Sequence, residues 1–531
     1  MTIRSGTVLD QYSVFDYKGS FDSTTSPDIL PPWVGEHARR LHAYSLLHAY
    51  VSNASRFWLE DAANESKRRE YGDPFILTET ALVSLIGDRQ RVVVEGAVAS
   101  TVEGEVDTTT APAVATQELI EQWIEDEKFY MKMVESERQS IKYGDSVYVL
   151  APDAAKGRPR LHVYDPGFYF PVFDPLNREG SEDFPSKVHI AWEFQMMVDG
   201  KEVDFVRRIT WELKTVAPYR PDYSDADVTM NCEYTDAYWR IDQVGKDMTV
   251  AWGSQHAYVT EPMMMNIDFI PVVHIPNGVA LQNHFGTSVL GPVMQILDDI
   301  QATDTDLQAA AATTGTPPIA ITGRSSSNDI TSYGPGAVFY CGDGQATVLD
   351  TSKSLTALLE LKDALLERLS VNSRTPEALL GRVKPNEVPS GISMTLSFAP
   401  HTGMIKEMRL VRKEKYPVLF KFVLRLMGIK DPPKVNLVMG SFLPADKQEA
   451  VSEIVQLMSA QAISLETAVQ MLIESGFPIE DMVLEIERIQ ARDVTTATSL
   501  MTLTGDPNTG LKFMGRPTVN FSDNPTDGIG P

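Results

Sequence analysis

The sequence predicts an α+β chain of several domains, with a β-rich stretch in its first half and long helices in its second half. Between residues 143 and about 275, apolar and β-forming residues recur with a period of two, which is typical of strands. On both sides of that stretch, apolar residues recur at helical spacing instead. A length of 531 residues corresponds to three or four domains.

Charge is the most informative feature of the composition. There are 47 Lys and Arg residues against 72 Asp and Glu residues, so the net charge is −25. Such an acidic chain is not expected to grip nucleic acid by neutralising many phosphates, although nucleic acid can still pass along it. Hydrophobic residues make up 43% of the chain, which excludes a wholly disordered protein.

The sequence contains no motif for a metal, a disulfide framework or a membrane span. Its two cysteines, Cys232 and Cys341, form no CxxC pair, and no HExxH occurs. No uncharged apolar run reaches the ~20 residues of a spanning helix. Asp10 and Asp16 near the start argue against a signal peptide. We therefore expect a soluble protein made inside the cell, with no metal and no cofactor.

The first half of the chain begins with helices and continues into strands. The first helix is predicted near the start of this half, where apolar residues recur at helical spacing at Leu41, Tyr44, Leu47 and Val51. The predicted elements that follow are a helix over 77–86, a strand over 91–100 and a long acidic helix over 115–140. In the β-rich stretch, Asp199-Gly200 between two strand-like runs predicts a tight hairpin.

Two long helices are predicted around a short β excursion in the second half. The first covers residues 287–313, with Pro292 near its start, where a missing N–H does least harm. The second covers 354–373, and we expect the two to pair because they leave and re-enter the same excursion. A polar flank on the first helix is formed by Asp298, Asp299, Asp304 and Asp306.

A loop and further helices complete the chain. Residues 374–389 hold three prolines and one glycine, too many for a helix interior. A very long helix follows over 390–428, and Pro400 and Pro417 within it predict a kink. Helices are predicted over 444–490, with Ser464 as a cap, before an extended tail.

The order of these parts resembles the portal protein of tailed double-stranded DNA bacteriophages, from about residue 41 to 490. The resemblance lies in the joint order of several segments, none of which is diagnostic alone. They are IKYGDSVYVLAP, RLHVYDPGFYFPVFDP, PVVHIPNGVALQNHFGTSVLGPVMQILDDI and RTPEALLG…PSGISMTLSFAP. In that family twelve subunits form a ring with a central channel at one vertex of the capsid.

The resemblance implies a portal fold and a domain assignment by position. The assigned parts are an N-terminal arm (1–40), an α/β wing that is β-rich in its second half (41–286), a first stem helix (287–315), a small β-containing clip (316–350), a second stem helix (351–373), a tunnel loop (374–389), a kinked wing helix with the following strand (390–443), a helical crown (444–491) and a C-terminal tail (492–531).

The resemblance also implies a function, partners and a location. The chain would form a dodecameric channel at the portal vertex of the virion, assembled in the bacterial cytoplasm, through which double-stranded DNA is packaged and ejected. The implied partners are the terminase large subunit, later head–tail adaptor proteins, and the major capsid and scaffolding proteins, with no membrane. The motor supplies the force in that family, so we expect no enzymatic activity.

Three groups of polar residues are candidates for contacts in such a ring. The stem acids Asp298, Asp299, Asp304 and Asp306 either line a channel that repels DNA or face solvent or a neighbour's cations. The tunnel-loop candidates are Arg382 and Lys384, beside Asn386 and Glu387; the two cations either touch phosphates transiently or lie on an exposed loop where their charges contribute little. At the clip, the docking candidates for terminase and adaptors are Arg324, Ser325, Ser326, Asp329 and Tyr333.

A basic stretch over 406–425 is the fourth charged feature. It contains Arg409, Arg412, Lys413 and Lys415 in an otherwise acidic chain. We favour pairing of these cations with an acidic helix of the adjacent subunit, for which residues 115–140 are the candidate, over a DNA-facing role.

Two other classes of protein stay open. One is a different head or connector protein of a virion. The other is a hydrolase, although GxxxxGK[ST] and GxSxG are absent and GTSVLG has the wrong spacing. His274, the histidine of PVVHIPN, is interpreted as a strand residue.

Overall fold

The computed structural model describes most of the chain between residues 37 and 474. The described residues are 37–54, 69–96, 111–153, 155–173, 184–198, 200–216, 229–240, 258–259, 261–278, 284–315, 319–322, 345–348, 352–382, 391–440, 447–460, 462–474, 477, 482, 485–486, 488–489 and 492. The fold is α+β, as the sequence predicts, with helices before and after a strand-rich region.

The first part of the described chain passes from helices, with one short strand among them, into the strand-rich region. Its elements are α1 (His37–Val51), α2 (Asp73–Ile86), β1 (Gln90–Val94), α3 (Ala111–Glu127), α4 (Phe129–Tyr143), β2 (Asp145–Asp153), β3 (Arg158–Tyr164), β4 (Tyr169–Val172), β5 (Lys187–Val198), β6 (Lys201–Val216), β7 (Thr229–Arg240), β8 (Tyr258–Val259), β9 (Met263–Met264) and β10 (Val272–Pro276).

The remaining elements are mostly helical. They are α5 (Met294–Gly315) after a 3₁₀ turn (Gly291–Val293), β11 (Ile319–Thr322), β12 (Gln345–Val348), α6 (Ser352–Asn372), α7 (Gly391–Leu426), β13 (Val435–Met439), α8 (Lys447–Ser459) and α9 (Leu465–Glu474). Among the described residues, no helix is both long enough and apolar enough to cross a membrane.

The strands form separate antiparallel sheets in place of one continuous layer. One sheet has the order β10-β2-β3, and a larger one runs β4-β5-β6-β7-β8 with β9 also on β7. β1 pairs with β13, and β11 pairs with β12. The predicted hairpin is present, because Val198 pairs with Lys201 and Gly200 has a φ of 77°, although Asp199 lies outside the described residues.

The predicted acidic helix over 115–140 is wrong in one respect, because the chain forms two helices there. The break falls at Lys128, which has a left-handed φ of 52°. The break turns Glu127 toward β3, where its carboxylate accepts a hydrogen bond from the Leu161 N–H at 3.1 Å. Lys132 in turn donates to the Leu161 carbonyl at 2.7 Å, and the Trp123 indole donates to the Pro159 carbonyl at 2.9 Å. Side chains thus occupy the outer edge of β3.

Other predicted helices differ only at their ends. α2 begins at Asp73, four residues before the prediction, and the first long helix starts with a 3₁₀ turn that contains Pro292. α7 is assigned as one helix through both Pro400 and Pro417, so the predicted kink stays a prediction. Ser464 caps α9 as predicted, because its hydroxyl accepts from the Thr467 N–H at 3.2 Å.

The chain divides into two compact units. The larger comprises Met1–Leu85 and Val92–Leu437 and the smaller Ile86–Arg91 and Val438–Pro531. The larger unit holds one core where α1, α5 and α6 meet and another between the six-stranded sheet and the three-stranded sheet. In the smaller unit, α8 and α9 bury Ile454, Ala468, Val469 and Ile473.

Two glycines allow a close backbone approach where the chain enters α5. A Cβ built on Gly286 would lie 2.6 Å from the backbone nitrogen of Asn277. One built on Gly144, whose φ is 97°, would lie 2.8 Å from the backbone carbon of Thr287. Both clashes are with backbone, which does not move aside as a side chain does.

Alanine at position 286 is therefore expected to destabilise the chain. We expect Gly286→Ala to lower the free energy of unfolding by about 1–3 kcal/mol, measured by urea unfolding. Gly403→Ala is the matched control, because Gly403 lies inside α7 with nothing within 4 Å of its added Cβ. That change should stabilise the chain by about 0.5–1 kcal/mol, and equal effects of the two changes would contradict the close approach.

Candidate functional site

The paired helices α5 and α6 form the most prominent candidate, and they run antiparallel. Near the start of α5, Leu297 and Ile300 share a buried cluster with Leu365 and Leu369 near the end of α6. Further along α5, Asp304 accepts a hydrogen bond from Lys362 Nζ at 2.5 Å. Residue numbers therefore rise along one helix as they fall along the other.

The four predicted channel acids do not share one environment. Asp304 is only 4% exposed and is neutralised by Lys362, so it does not line an open surface, which corrects its assignment. Asp298 is half-buried and accepts from the Tyr50 hydroxyl at 3.2 Å. Asp299 and Asp306 are exposed, and their spacing of seven residues places them on one face of α5.

The segment that leads into α5 is fixed by hydrogen bonds to the end of α4 and to β2. The Gly286 N–H donates to Asp145 Oδ1 at 2.8 Å, and the Val289 N–H donates to the Ile141 carbonyl at 3.2 Å. The Ser288 hydroxyl donates to the Lys142 carbonyl at 2.6 Å. The base of the helix pair is thus joined directly to the strand-rich part of the larger unit.

Asp145 is the centre of this attachment, and the sequence analysis did not identify it. Its carboxylate is 1% exposed and accepts from Tyr44 at 2.5 Å and from His274 Nε2 at 2.8 Å. His274 lies in β10, as predicted, and its ring stacks on those of Tyr169 and His284. The signal in the sequence is an acid directly after Gly144, at the start of an apolar strand.

Arg412 does not lie at an outer surface, which corrects its assignment as a subunit-interface cation. Its side chain is 1% exposed and donates to Glu137 Oε2 at 2.8 and 3.0 Å, and Glu137 is 0% exposed. The guanidinium also donates to the Asn277 carbonyl at 2.8 Å, and Tyr416 donates to the other Glu137 oxygen at 2.6 Å. Arg412 therefore pairs with an acid of its own chain and not, as the sequence predicts for the basic stretch, with one of the adjacent subunit.

The other three cations of that stretch differ from one another. Arg409 is half-buried and donates to the Leu85 and Ser84 carbonyls at 3.0 and 3.1 Å, so it binds its own chain. Lys415 lies 6.0 Å from the ring centre of Phe184. Lys413 is exposed and stays a candidate for an interface.

The tunnel-loop and clip candidates are described only in part. Arg382 forms ion pairs with Glu377 at 3.3 Å and with Asp363 of α6 at 3.4 Å. Of the clip, the structure describes β11 and β12, which pair from Ile319↔Val348 to Thr322↔Gln345. The candidates outside the described residues are Lys384, Asn386, Glu387, Arg324, Ser325, Ser326, Asp329 and Tyr333.

Lys142 lies in an unusual position beside the base of the helix pair. Its Nζ is 2.7 Å from His48 Nδ1, and the Tyr143 hydroxyl is 3.1 Å from the same nitrogen. Burial lowers the pKa of Lys142 to about 8, against the opposing effect of Asp165 and Glu135. Burial also raises the pKa of Tyr143.

Nothing in the described part of the chain assembles a metal site. No group of three or more His, Cys, Asp or Glu side chains there is placed to hold an ion. A surface groove of about 550 Å³ lies between α4 and the edge of β3, lined by both acids and cations. Cys232 is buried, and burial raises the pKa of its thiol to about 12, which leaves it unreactive.

Removing Arg412 is expected to cost far more than removing the cation beside it. Arg412→Met leaves the Glu137 carboxylate buried without its cation, so we expect the free energy of unfolding to fall by about 3–5 kcal/mol. The double change Arg412→Met with Glu137→Gln removes that charge and should recover part of the loss. Lys413→Met is the control and should stay within about 0.5 kcal/mol in the same urea titration. Equal losses for the two single changes would refute the buried pair.

The lowered pKa of Lys142 predicts a pH dependence of stability. Between its folded pKa of about 8 and its ordinary value of 10.5, the unfolded chain holds more protons at this lysine than the folded chain does. The contribution of Lys142 to the unfolding free energy therefore rises with pH across this window. We expect that rise to be missing in Lys142→Met and retained in Lys156→Met, with urea titrations at several pH values as the measurement. Parallel profiles for the parent chain and Lys142→Met would contradict it.

No family model matches the sequence, and no curated protein matches it. Among solved structures, the chain is similar to a protein in the neck of a native gene transfer agent particle computed with C12 symmetry, with a TM-score of 0.41, 12% identity, and coverage of 82% of this chain and 93% of that one. It is similar to another in the neck of an empty particle computed with C6 symmetry, with a TM-score of 0.39, 12% identity, and coverage of 76% and 90%. A third, from the virion of the native particle, gives a TM-score of 0.38, 12% identity, and coverage of 75% and 89%.

Proposed function

We propose that this chain is a portal protein of a tailed double-stranded DNA bacteriophage. Twelve copies would close into a ring at one vertex of the capsid, and DNA would enter and leave through the central channel. The observation that carries the proposal is the antiparallel helix pair α5 and α6, fixed at its base and joined at its far end to the small β11–β12 pair. The resemblance implies two stem helices with a small β clip between them, and this order of elements supports the proposal.

The charge of α5 supports a channel role. The helix contains four aspartates and no Lys or Arg, and its Asp306 is exposed. Duplex DNA carries one charge per ~1.7 Å of its axis, so cations along a channel would create sites that hold it. Acids instead repel the phosphates over a Debye length of ~8 Å at physiological salt. A wall of this kind confines DNA without binding it.

The proposal extends to partners by the same resemblance. The clip, which includes β11 and β12, would dock the terminase large subunit during packaging and head–tail adaptor proteins afterwards. The major capsid and scaffolding proteins would surround the ring at its vertex, after assembly in the bacterial cytoplasm. We assign no catalysis to the chain, because the motor supplies the force.

Electron microscopy of the purified full-length chain tests the proposal. We expect class averages of a twelve-subunit ring with an axial hole wide enough for a duplex, and a map with α5 and α6 around that hole. A shell-like lattice or a compact monomer would instead favour another head protein. A ring with α5 at its outer rim would refute the channel role of its acids.

A further inference from the structure

We propose that Arg368 on α6 of one copy forms an ion pair with Asp299 on α5 of the next copy, and that this contact sets how neighbouring helix pairs pack. The inference rests on the proposed ring. It begins from three charges on the helix pair: in the described part of the chain, the side chains of Asp299, Asp306 and Arg368 form no ion pair, whereas Asp304 and Lys362 satisfy each other.

The outward surface of α6 has two sides of opposite character. At helical spacing, one side carries Glu360 and Glu367 and is acidic, and Asp363 beside them is paired with Arg382. The other side is apolar with a single cation, and it consists of Ala357, Leu361, Ala364, Arg368 and Val371. Leu361 is 49% exposed and Val371 is 71% exposed, so a neighbour that covered this side would remove apolar surface from water.

The exposed face of α5 has a shape and a charge that fit the apolar side of α6. It consists of Gln295, Asp299, Ala302, Asp306 and Ala309. Alanines at positions 302 and 309 leave room for a neighbouring helix to approach closely. The two acids need a cation or water opposite them.

The positions of these charges along the helix axis select the pair. Asp304 and Lys362 are in contact, so they lie at the same level. Asp299 lies five residues before Asp304, and Arg368 lies six residues beyond Lys362 on the antiparallel helix. At a rise of about 1.5 Å per residue, Asp299 lies about 7.5 Å and Arg368 about 9 Å from the level of the Asp304–Lys362 pair. Both are displaced toward the end of the helix pair where α5 begins, so their levels along the axis nearly coincide.

Cyclic symmetry turns this coincidence into a contact between copies. In a ring whose symmetry axis runs along the helix pair, rotation from one copy to the next leaves the height of every residue along the axis unchanged. Arg368 of one copy therefore lies at the height of Asp299 of the next copy. If the acidic side of α6 faced α5 of the next copy, Glu367 and Glu360 would lie at the levels of Asp299 and Asp306, and like charges would repel. If the apolar side of α6 faces α5 of the next copy instead, Arg368 attracts Asp299. Asp306 meets no cation at its level and keeps its charge for the channel.

Charge reversal in the full-length chain tests the contact. We expect Arg368→Glu and Asp299→Arg each to lower the yield of rings at least about tenfold, measured by native mass spectrometry and electron microscopy at moderate salt. The double change Arg368→Glu with Asp299→Arg should restore ring formation. Glu367→Arg is the matched control, because it reverses a charge at the same level on the other side of α6, and it should leave the yield unchanged.

A second measurement separates loss of contact from loss of folding. Mixing Asp299→Cys chains with Arg368→Cys chains should give a disulfide-linked dimer on oxidation, whereas Asp306→Cys mixed with Arg368→Cys should not. The parent chain, with its two native cysteines, is the control. If the parent chain forms no rings, the proposed function fails. If it forms rings, but charge reversal changes nothing and no disulfide forms, the Arg368–Asp299 contact is wrong and the ring stands.

Discussion

The structure depends most on one buried ion pair, between Arg412 on α7 and Glu137 on α4. Two charges removed from water are costly unless each also has further hydrogen bonds, and here both do. Arg412 also reaches the carbonyl of Asn277 after β10, and Glu137 also binds Tyr416. Geometry of this kind tolerates little displacement. Three parts of the larger unit, α4, α7 and the end of β10, are therefore held in one arrangement.

The position of α5 and α6 depends on that arrangement of α4, α7 and the end of β10. The segment after β10 passes Gly286 and binds Asp145 and the carbonyls at the end of α4 before α5 begins. A long helix pair attached by one flexible joint would swing. Attachment through several hydrogen bonds to a strand and a helix gives α5 a defined direction, which the proposed ring would require of every copy.

Much of the fold follows from local pattern, whereas the partners of single charged residues do not. Helix and strand periods predict α1, α6, α7 and the hairpin between β5 and β6. The break at Lys128 has no glycine or proline to mark it, and the hydrogen bond that Glu127 accepts from β3 is a long-range contact that local pattern does not predict.

The predicted roles are wrong for charged residues that lie on the apolar face of a helix. Arg412 lies four residues from both Met408 and Tyr416, which are buried, and Asp304 lies four residues from the buried Ile300. Position on the apolar stripe was the available signal, and it indicates burial. The clip candidates and most of the tunnel-loop candidates lie outside the described residues, so their roles stay predictions.

The side chains along β3 have a consequence for aggregation. An outermost strand with bare amides and carbonyls is a template on which another chain can polymerise. On β3, the Pro159 carbonyl accepts a hydrogen bond from Trp123, and the Leu161 carbonyl accepts one from Lys132. The Leu161 N–H donates to Glu127. These backbone groups are therefore not available to pair with another strand. Off-pathway fibrous aggregation through that strand therefore has fewer backbone groups to use.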